Sequence, residues 1–434
     1  MDTKRFKLKF GLTGLLAFTA ICAMVFWLFR EPDPNIRLAR GLGSQNQEVR
    51  IRAINELRLL GPNAIPALIH EVEGTNALGR EIAAWLLGEH GAKAALAESA
   101  LRKALKDKHP EVRAMAAKAL SRIGAEARDS IPDLILVLKD TNPSVRQHAA
   151  DALAEFGTDA VDAIPSLVAV LKMPGNEDSE EILPRRSAGK TLSVLGPESA
   201  DELIALLGSE DTIVHSLSVD ALGKMGKTIV PQLVEALAGE NAQARSRAAQ
   251  VLGRIGSGAS DAVSVLNKAM SDENGLVRVR AAEAIWKITK EADEVLPVLV
   301  AGLSDKTDGV LIIAITALRE MGSAAKPALA AVQSTLKSEE MGVRSEAAAA
   351  LGRMGQAAAE AVPALIEALS DGEFEVRRAA VDALGRIGSG ATDALPVLKK
   401  MQEDELNLAV RRAAGGAVRQ IESGGEERPR RRNE

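Results

Sequence analysis

The stretch Phe374–Gly388 reads FEVRRAAVDALGRIG, and it indicates the fold because the chain repeats it. Twelve versions of it follow one another at intervals of 30 to 39 residues. We call them repeats 1 to 12 and count positions from the first apolar residue of each. A fixed period of this length is typical of arrays in which each unit packs against its neighbours. The twelve position-0 residues are Val49, Gly79, Val112, Val145, Pro184, Val214, Ala244, Val277, Val310, Val343, Val376 and Val410.

Each copy has the pattern of an amphipathic helix that ends at glycine. Position 4 is Ala in eleven copies and Ser218 in the twelfth, and position 8 is Leu or a close substitute. Positions 0, 4, 8 and 11 share one stripe of a helix with 3.6 residues per turn, and the small Ala allows a close neighbour. Position 12 is Gly in ten copies, with Thr289 and Glu422 as the exceptions. Glycine readily adopts the positive backbone angle that ends a helix.

A second, shorter apolar run follows each of these glycines, and proline recurs near its start. Proline is tolerated in the first turn of a helix, where its missing N–H would have no partner. The sequence therefore predicts an all-α fold, an α-solenoid of about twelve helical hairpins over residues 34–422. The recurring prolines are Pro66, Pro132, Pro165, Pro231, Pro297, Pro327, Pro363 and Pro396.

In these features the chain resembles the HEAT-repeat family, in particular the short repeats related to phycobilin lyase subunits. In that family an Asp in the turn between helices and an Arg six residues later form a hydrogen-bonded ladder between repeats. The Arg, at position 1, recurs in ten copies, and His215 and Leu311 replace it in the others. The resemblance implies a structural role for this row. The Asp and Arg spacing occurs as Asp107/Arg113, Asp140/Arg146, Asp272/Arg278 and Asp371/Arg377.

The N-terminus carries a basic segment, residues 1–9, followed by residues 10–29 without a charge. As a helix this run would be about 30 Å long, which is enough to cross the hydrocarbon core of a bilayer. A cleavable signal peptide is the alternative, and it needs small residues before the cut. Bulky residues at Met24–Phe29 favour an uncleaved transmembrane anchor, and Ile21 before Cys22 argues against lipoprotein processing.

The charge distribution predicts the topology of this anchor. Four basic residues precede the span and are expected to remain cytoplasmic, which places the array outside the cytoplasmic membrane, in the periplasm of a two-membrane bacterium. Arg30, Arg37 and Arg40 follow the span and weaken this asymmetry. The Arg-rich tail, residues 423–434, has no apolar residue that could join a core and is predicted to be disordered.

Composition disfavours several classes of function. Aromatic residues make up 2% of the chain and Tyr is absent, which is a poor basis for stacking on bases. Removing the +3 of residues 1–29 and the +1 of residues 423–434 from the formal charge of −5 leaves −9 on the array, so no nucleic-acid partner is expected. Cys22 is the only cysteine, which excludes disulfides within the chain and a cysteine metal site.

Enzymatic alternatives rest on weak patterns. Ala221–Thr228 matches a relaxed phosphate loop, but the helix of repeat 6 occupies the place of that loop. Deoxyhypusine hydroxylases, which are HEAT-like, hold two irons with several His-Glu pairs, and this chain has one such pair, His70 and Glu71. A phycobilin-lyase activity rests on the type of repeat alone. The insertion Lys172–Leu183 is rich in acidic residues, which is typical of an exposed loop. We predict no cofactor.

The remaining signal is a surface. In HEAT arrays the second helix of each repeat lines the concave side, and we expect positions 2, 6 and 9 to 10 to point outward. In repeats 8 and 9 they include Val279, Trp286 and Ile312, while Leu311 replaces the ladder Arg. These apolar residues form a docking patch or are buried by local repacking. The predicted polar rim, interrupted by Glu320, consists of Arg254, Lys287, Arg353 and Arg386.

The sequence thus favours a non-enzymatic scaffold, tethered to the membrane, that binds an unidentified protein or extended peptide on the concave face of the solenoid through many weak contacts. An enzyme or enzyme subunit of the phycobilin-lyase or hydroxylase type is the alternative.

Overall fold

The computed structural model describes residues 33–307 and 309–423. Within them the secondary structure consists of α-helices, short 3-10 helices and turns, with no strand. The chain divides into two compact units, Met1–Ser166 and Leu167–Glu434, which we call the N-terminal unit and the C-terminal unit.

The N-terminal unit alternates short and long helices. Each long helix contains one copy of the repeated phrase, as predicted. A ninth helix, α9 (Ile164–Leu171), contains the boundary between the two units. The first eight helices are α1 (Pro34–Arg40), α2 (Gln47–Leu60), α3 (Ile65–Val72), α4 (Ala77–Glu89), α5 (Glu98–Ala104), α6 (Pro110–Ile123), α7 (Ile131–Val137) and α8 (Pro143–Glu155).

The C-terminal unit continues the alternation, and the described residues contain twelve long helices in all. The predicted all-α solenoid is confirmed. The helices of this unit are α10 (Ile182–Leu195), α11 (Ala200–Ala205), α12 (Thr212–Met225), α13 (Val230–Leu237), α14 (Ala242–Ile255), α15 (Val263–Ala269), α16 (Gly275–Thr289), α17 (Leu296–Gly302), α18 (Val310–Met321), α19 (Leu329–Ser334), α20 (Met341–Met354), α21 (Val362–Ala368), α22 (Phe374–Ile387), α23 (Leu395–Asp404) and α24 (Leu408–Glu422).

Many of the long helices are preceded by a residue whose side chain caps their first turn. At α8, Asn142 Oδ1 accepts hydrogen bonds from the N–H groups of Ser144 and Val145, at 2.9 and 3.3 Å. These bonds satisfy donors that the first helical turn leaves without partners. The predicted prolines lie in the first turn of short helices such as α3, α7 and α13. The other side-chain caps of long helices are Asn46, Asn76, Asp211, Asn241, Asn274 and Asn407.

Glycine ends the long helices as predicted. All ten position-12 glycines have a positive φ, between 55° for Gly91 and 80° for Gly196. Each opens a 3-10 segment that leads into the next short helix, such as Gly124–Ser130 before α7. In repeat 8, where Thr289 replaces the glycine, the following Lys290 adopts a φ of 63° and is the one non-glycine residue in the described ranges with a positive φ.

Small residues allow neighbouring long helices to pack closely. A Cβ atom placed on Gly352 of α20 would stand 2.7 Å from Ala383 Cα of α22. Gly253 of α14 approaches Ala284 of α16 in the same way, at 3.0 Å. The position-4 Ala residues are buried, and Ser218 satisfies its hydroxyl by donating to the Val214 carbonyl at 2.8 Å. The backbones themselves therefore form part of the contact.

The predicted ladder of Arg and Asp is confirmed. Arg344 donates from Nε and Nη2 to both carboxylate oxygens of Asp371 in the next repeat, at 2.7 and 3.0 Å, and from Nη1 to the Ser338 carbonyl six residues earlier. One planar guanidinium thus joins two turns. The other rungs are Arg80 with Asp107 and Arg113 with Asp140 in the N-terminal unit, and Arg245 with Asp272, Arg278 with Asp305 and Arg377 with Glu405 in the C-terminal unit.

The predicted basic segment 1–9, anchor 10–29 and tail from residue 424 onward lie outside the described residues. Within the ranges that the structure describes, no helix is long and apolar enough to cross a membrane. The anchor therefore stays a prediction.

Candidate partner-binding face

The exposed stripe of the long helices overlaps the predicted one and also includes positions −1 and 3. In α14, Gln243 and Arg254 are exposed and Arg247 and Gln250 are half-buried, whereas Ser246 at position 2 is buried. In α14 the outward positions are therefore −1, 3, 6 and 10, at the spacing of one helical face. In other long helices position 2 is exposed as well, as Ser216, Ile312 and Arg378 show. We call the stripe of positions −1, 2, 3, 6 and 10 on α12 to α22 the outer face.

Val279 does not belong to this face, and the prediction that it is exposed is wrong. Its side chain is 1% exposed. A Cβ atom on Gly302 of the short helix α17 would stand 2.8 Å from Val279 Cγ1, so Val279 fills space that this glycine leaves open. Of the two alternatives left open by the sequence, a docking patch or burial by local repacking, Val279 therefore follows the second.

The other three apolar residues are more accessible but do not form one patch. Ile312 is 39% exposed near the start of α18, and Leu311 beside it is half-buried. Trp286 is half-buried near the end of α16, where Lys290 Nζ lies 5.3 Å from the centre of its ring. Position 9 and position 2 are separated by about 10 Å of helical rise, so Trp286 and Ile312 lie toward opposite ends of neighbouring helices.

Two of the predicted rim residues are engaged in ion pairs. Lys287 Nζ lies 2.6 Å from Glu283 on its own helix and 3.1 Å from Glu320 of repeat 9. Burial opposes ionisation of Glu283, but the nearby Arg280 and Lys287 outweigh it, so the pKa of Glu283 is lowered. Arg254 pairs with Asp220 of the preceding repeat. These charges are internally compensated.

The other two rim residues, Arg353 and Arg386, line an open cleft with a volume of about 280 Å³. Arg319 and Glu320 complete its lining. Both are paired, Arg319 Nε with Glu346 at 3.1 Å and Glu320 with Lys287. Arg353 and Arg386 are exposed, and neither has a carboxylate within ion-pairing distance in the described part of the chain. We call this the arginine cleft.

A second cavity of about 210 Å³ opens where the ladder is interrupted at His215. Arg247 of repeat 7 lines it and donates from Nη1 to the carbonyls of Leu207 and Ser209. Burial, with a further contribution from Arg247, lowers the pKa of His215. Arg247 and Arg280, which also lines this cavity, occupy position 3, which the sequence did not predict to point outward. For Arg247 the sequence did contain a signal: an Arg stands at position 3 of repeat 7, directly after the repeat in which His215 replaces the ladder Arg.

The acidic insertion is fixed at its base by Arg185, whose side chain is 0% exposed. Nε donates to the Leu171 carbonyl at 3.0 Å, Nη1 to the Gly175 carbonyl at 2.7 Å, and Nη2 to Asp211 at 2.8 Å. As predicted, most of the insertion is exposed, including Glu177, Asp178 and Glu180, whereas Ile182 near its end is buried and begins α10. Arg185, at position 1 of repeat 5, therefore fixes the insertion and also makes the ladder contact with the next repeat.

The patterns suggestive of catalysis have ordinary structural surroundings. His70 is exposed on α3 and Glu71 is buried. The helix α12 continues through the relaxed phosphate-loop pattern as far as Met225. No three His, Cys, Asp or Glu side chains within residues 33–307 and 309–423 are grouped so that they could hold a metal ion.

Comparison with known proteins identifies the class. Residues 65–128, 98–183, 230–319 and 330–419 match the model of the HEAT repeats family. These segments cover more than half of the sequence, so the chain belongs to the HEAT-repeat family. The match does not distinguish the short type related to phycobilin lyases. No curated protein matches the chain.

Solved structures share the fold at low sequence identity. Kap121p bound to Pho4p matches with a TM-score of 0.59 and 14% identity, over 96% of this chain and 52% of that one. Importin beta in an ammonium sulfate condition matches with a TM-score of 0.54 and 14% identity, over 89% of this chain and 60% of that one. The chain thus spans about half the length of Kap121p, and the likeness concerns the fold.

Proposed function

We propose that this protein is a non-enzymatic, membrane-tethered scaffold that binds a protein or an extended peptide on the outer face. The observation that carries the proposal is the arginine cleft, in which Arg353 and Arg386 are exposed without an ion-pair partner in the described residues. By contrast, the position-10 residues of repeats 7 and 8 are paired, Arg254 with Asp220 and Lys287 with Glu283 and Glu320. Charges left uncompensated on a preformed surface favour the binding of an external group.

The geometry of the outer face supports an elongated partner. Successive long helices present equivalent positions side by side, so a bound segment can cross several repeats and contact each in the same way. Ile312 and Trp286 add apolar contact area near the cleft-bearing repeats. The solved structures of Kap121p with Pho4p, with Nup53p and with the extreme C-terminus of Cdc14p illustrate protein binding by another array of this fold.

The membrane tether belongs to the same proposal. The uncharged run at residues 10–29 is long enough to span a bilayer, and the four basic residues before it favour an array outside the cytoplasmic membrane. A tether restricts the array to the membrane surface and raises its effective concentration toward partners there.

Site-specific photo-crosslinking in cells that produce the full chain tests the binding face. A photoreactive residue replaces Ile312 or Arg353 on the outer face, or Lys268, which is exposed on the short helix α15. We expect discrete crosslinked species from the first two sites and none from the third. Crosslinks of equal strength from Lys268, or none from the outer face, would contradict the proposal.

A second arm separates apolar from charged contacts. Trp286→Ala and Ile312→Ser are expected to weaken crosslinking from Arg353 while the helical circular dichroism is unchanged. Stoichiometric iron or a bound bilin in the purified full chain would favour the enzymatic alternative over the scaffold.

The tether is tested by fractionation. The full chain is expected in the membrane fraction, and a chain lacking residues 1–29 in the soluble fraction. Protease added outside the cytoplasmic membrane should remove a C-terminal tag. Equal fractionation of both chains would refute the anchor, and a protected tag would refute the orientation.

A further inference from the structure

We propose that the arginine cleft binds an acidic segment in an extended, polyproline II-like conformation, with a carboxylate at every third residue. This inference rests on the proposed function and names the chemistry of the partner. It follows from two independent features of the cleft, its charge and the spacing of its arginines.

The charge of the cleft selects carboxylates. Four charged side chains line it, and two are neutralised within the protein, Arg319 by Glu346 and Glu320 by Lys287. The two guanidinium groups that remain, on Arg353 and Arg386, are exposed. Asp382, one turn before Arg386 and within its electrostatic influence, is itself paired with Arg378. A guanidinium presents parallel N–H donors that match the two oxygens of a carboxylate, and such charge-assisted bonds are stronger than neutral ones.

The spacing of the cleft selects the conformation. Arg353 and Arg386 both occupy position 10, on the adjacent long helices α20 and α22. Packed helices have axes about 8–10 Å apart, and the close approach of Gly352 to Ala383 shows that these two helices are in tight contact. Equivalent side chains on the two helices therefore start from points separated by about that distance.

A polyproline II segment matches this separation. It has three residues per turn and rises about 3.1 Å per residue, so every third side chain lies on the same face at intervals of about 9 Å. In a β-strand, side chains two residues apart lie on the same face at about 6.7 Å, and those four residues apart lie at about 13 Å. A segment crossing the helices at right angles therefore matches this separation directly with the three-residue period, whereas the spacings of a β-strand would require the two arginine side chains to converge or spread by about 2–4 Å.

The test uses fluorescence anisotropy with the full chain in mild detergent and three synthetic peptides. The first carries three glutamates, each separated from the next by an alanine and a proline. The second has the same composition with the glutamates adjacent, and the third has lysines in place of the glutamates. We expect the first to bind at least about tenfold more tightly than the second, no binding of the third, and weaker binding as salt is raised.

Matched variants locate the site. We expect Arg353→Gln and Arg386→Gln each to lower the affinity for the first peptide by about tenfold. Lys268→Gln removes the same charge from an exposed position on the short helix α15 and should leave binding unchanged. Retained helicity and an unchanged unfolding midpoint show that the variants remain folded.

Several results would overturn the inference: equal affinity for the two glutamate peptides, equal losses for all three variants, or no peptide binding. A single-stranded oligonucleotide that binds as tightly as the first peptide, or inorganic phosphate that displaces the peptide at equal concentration, would show a general anion site and refute it too. If the photo-crosslinks from Ile312 persist while the peptides fail, this inference falls and the proposed function stands.

Discussion

Arg247 Nη1 donates a hydrogen bond to the Ser209 carbonyl at 2.7 Å, although the two residues belong to neighbouring repeats. In repeats with an intact ladder, the position-1 Arg makes the equivalent bond within its own repeat, as Arg113 does to the Asp107 carbonyl at 2.8 Å. In repeat 6 that position holds His215. Arg247 therefore supplies from the next helix the donor that the substitution removed.

This relationship predicts a specific rescue. Arg247→Ala leaves turn carbonyls without their donor and should lower the free energy of unfolding by about 1–3 kcal/mol. Adding His215→Arg restores a position-1 guanidinium six residues after Ser209 and should recover most of that loss. Urea denaturation of the four chains in a double-mutant cycle measures the coupling, and strictly additive effects would contradict the replacement.

The two adjacent arginines of α10 should respond very differently to truncation. Arg185→Ala removes a fully buried guanidinium that joins the Leu171 and Gly175 carbonyls to Asp211, and should cost about 3 kcal/mol or more. Arg186 is exposed, and Arg186→Ala should change the unfolding free energy by less than about 0.5 kcal/mol. Limited proteolysis should cleave the Lys172–Leu183 loop faster in the first variant only. Equal effects of the two substitutions would refute the anchoring role.

Glycine at position 9 should be intolerant of a methyl group. Gly352→Ala places a Cβ atom 2.7 Å from Ala383 Cα and should destabilise the protein by about 1–3 kcal/mol through overpacking. Gly342→Ala, near the start of the same helix, meets nothing within 4 Å and should be neutral or stabilise by up to about 1 kcal/mol. Thermal unfolding of both variants measures this difference in stability. Equal stabilities would show that α20 and α22 can move apart to accept the added methyl group.

Acidification should destabilise the protein through half-buried histidines such as His148. Burial lowers the pKa of His148, so below about pH 6.5 the unfolded chain binds more protons there than the folded chain does. Its contribution to stability is complete above the unfolded pKa and is lost as the pH falls toward the folded value. His148→Gln should therefore show a shallower loss of unfolding free energy than the parent between pH 7.5 and 5. Parallel pH profiles for the two proteins would contradict this.

The ladder carboxylates should add a second loss at lower pH. Burial opposes ionisation of Asp107, but hydrogen bonds from the Arg80 side chain and the His109 N–H outweigh it and lower the pKa of Asp107. The same direction holds for Asp140 and Asp272. Their stabilisation is present above the unfolded pKa of about 4 and is lost as the pH falls through the folded values. Asp107→Asn should flatten the acid limb of the stability profile.

Most of the fold could be predicted from the spacing of a few residues. The glycine at position 12, the alanine at position 4 and the proline after the turn have local causes, namely backbone freedom, small volume and a missing N–H. The helices and their ends therefore follow from each repeat alone. The ladder required knowledge of the family, because each rung joins residues about 27 positions apart, such as Arg344 and Asp371.

The outer face could be predicted only in outline. A wide apolar stripe fixes the rotation of a helix to within about one residue, and one residue turns a side chain by about 100°. That uncertainty separates the buried Val279 from the outward-facing Arg280 beside it. The fate of Val279 also depended on Gly302, a residue of a different helix.

The sequence by itself determined the repeating hairpin and the ends of its helices, because these depend on short-range backbone chemistry and a fixed period. Only the tertiary structure decided which charges remain free. Arg254, Lys287, Arg353 and Arg386 share position 10, yet the first two pair with Asp220, Glu283 and Glu320 while the last two form no ion pair in the described residues. Ion pairing depends on distances of a few ångströms between side chains of separate helices, and a repeat pattern does not specify those distances.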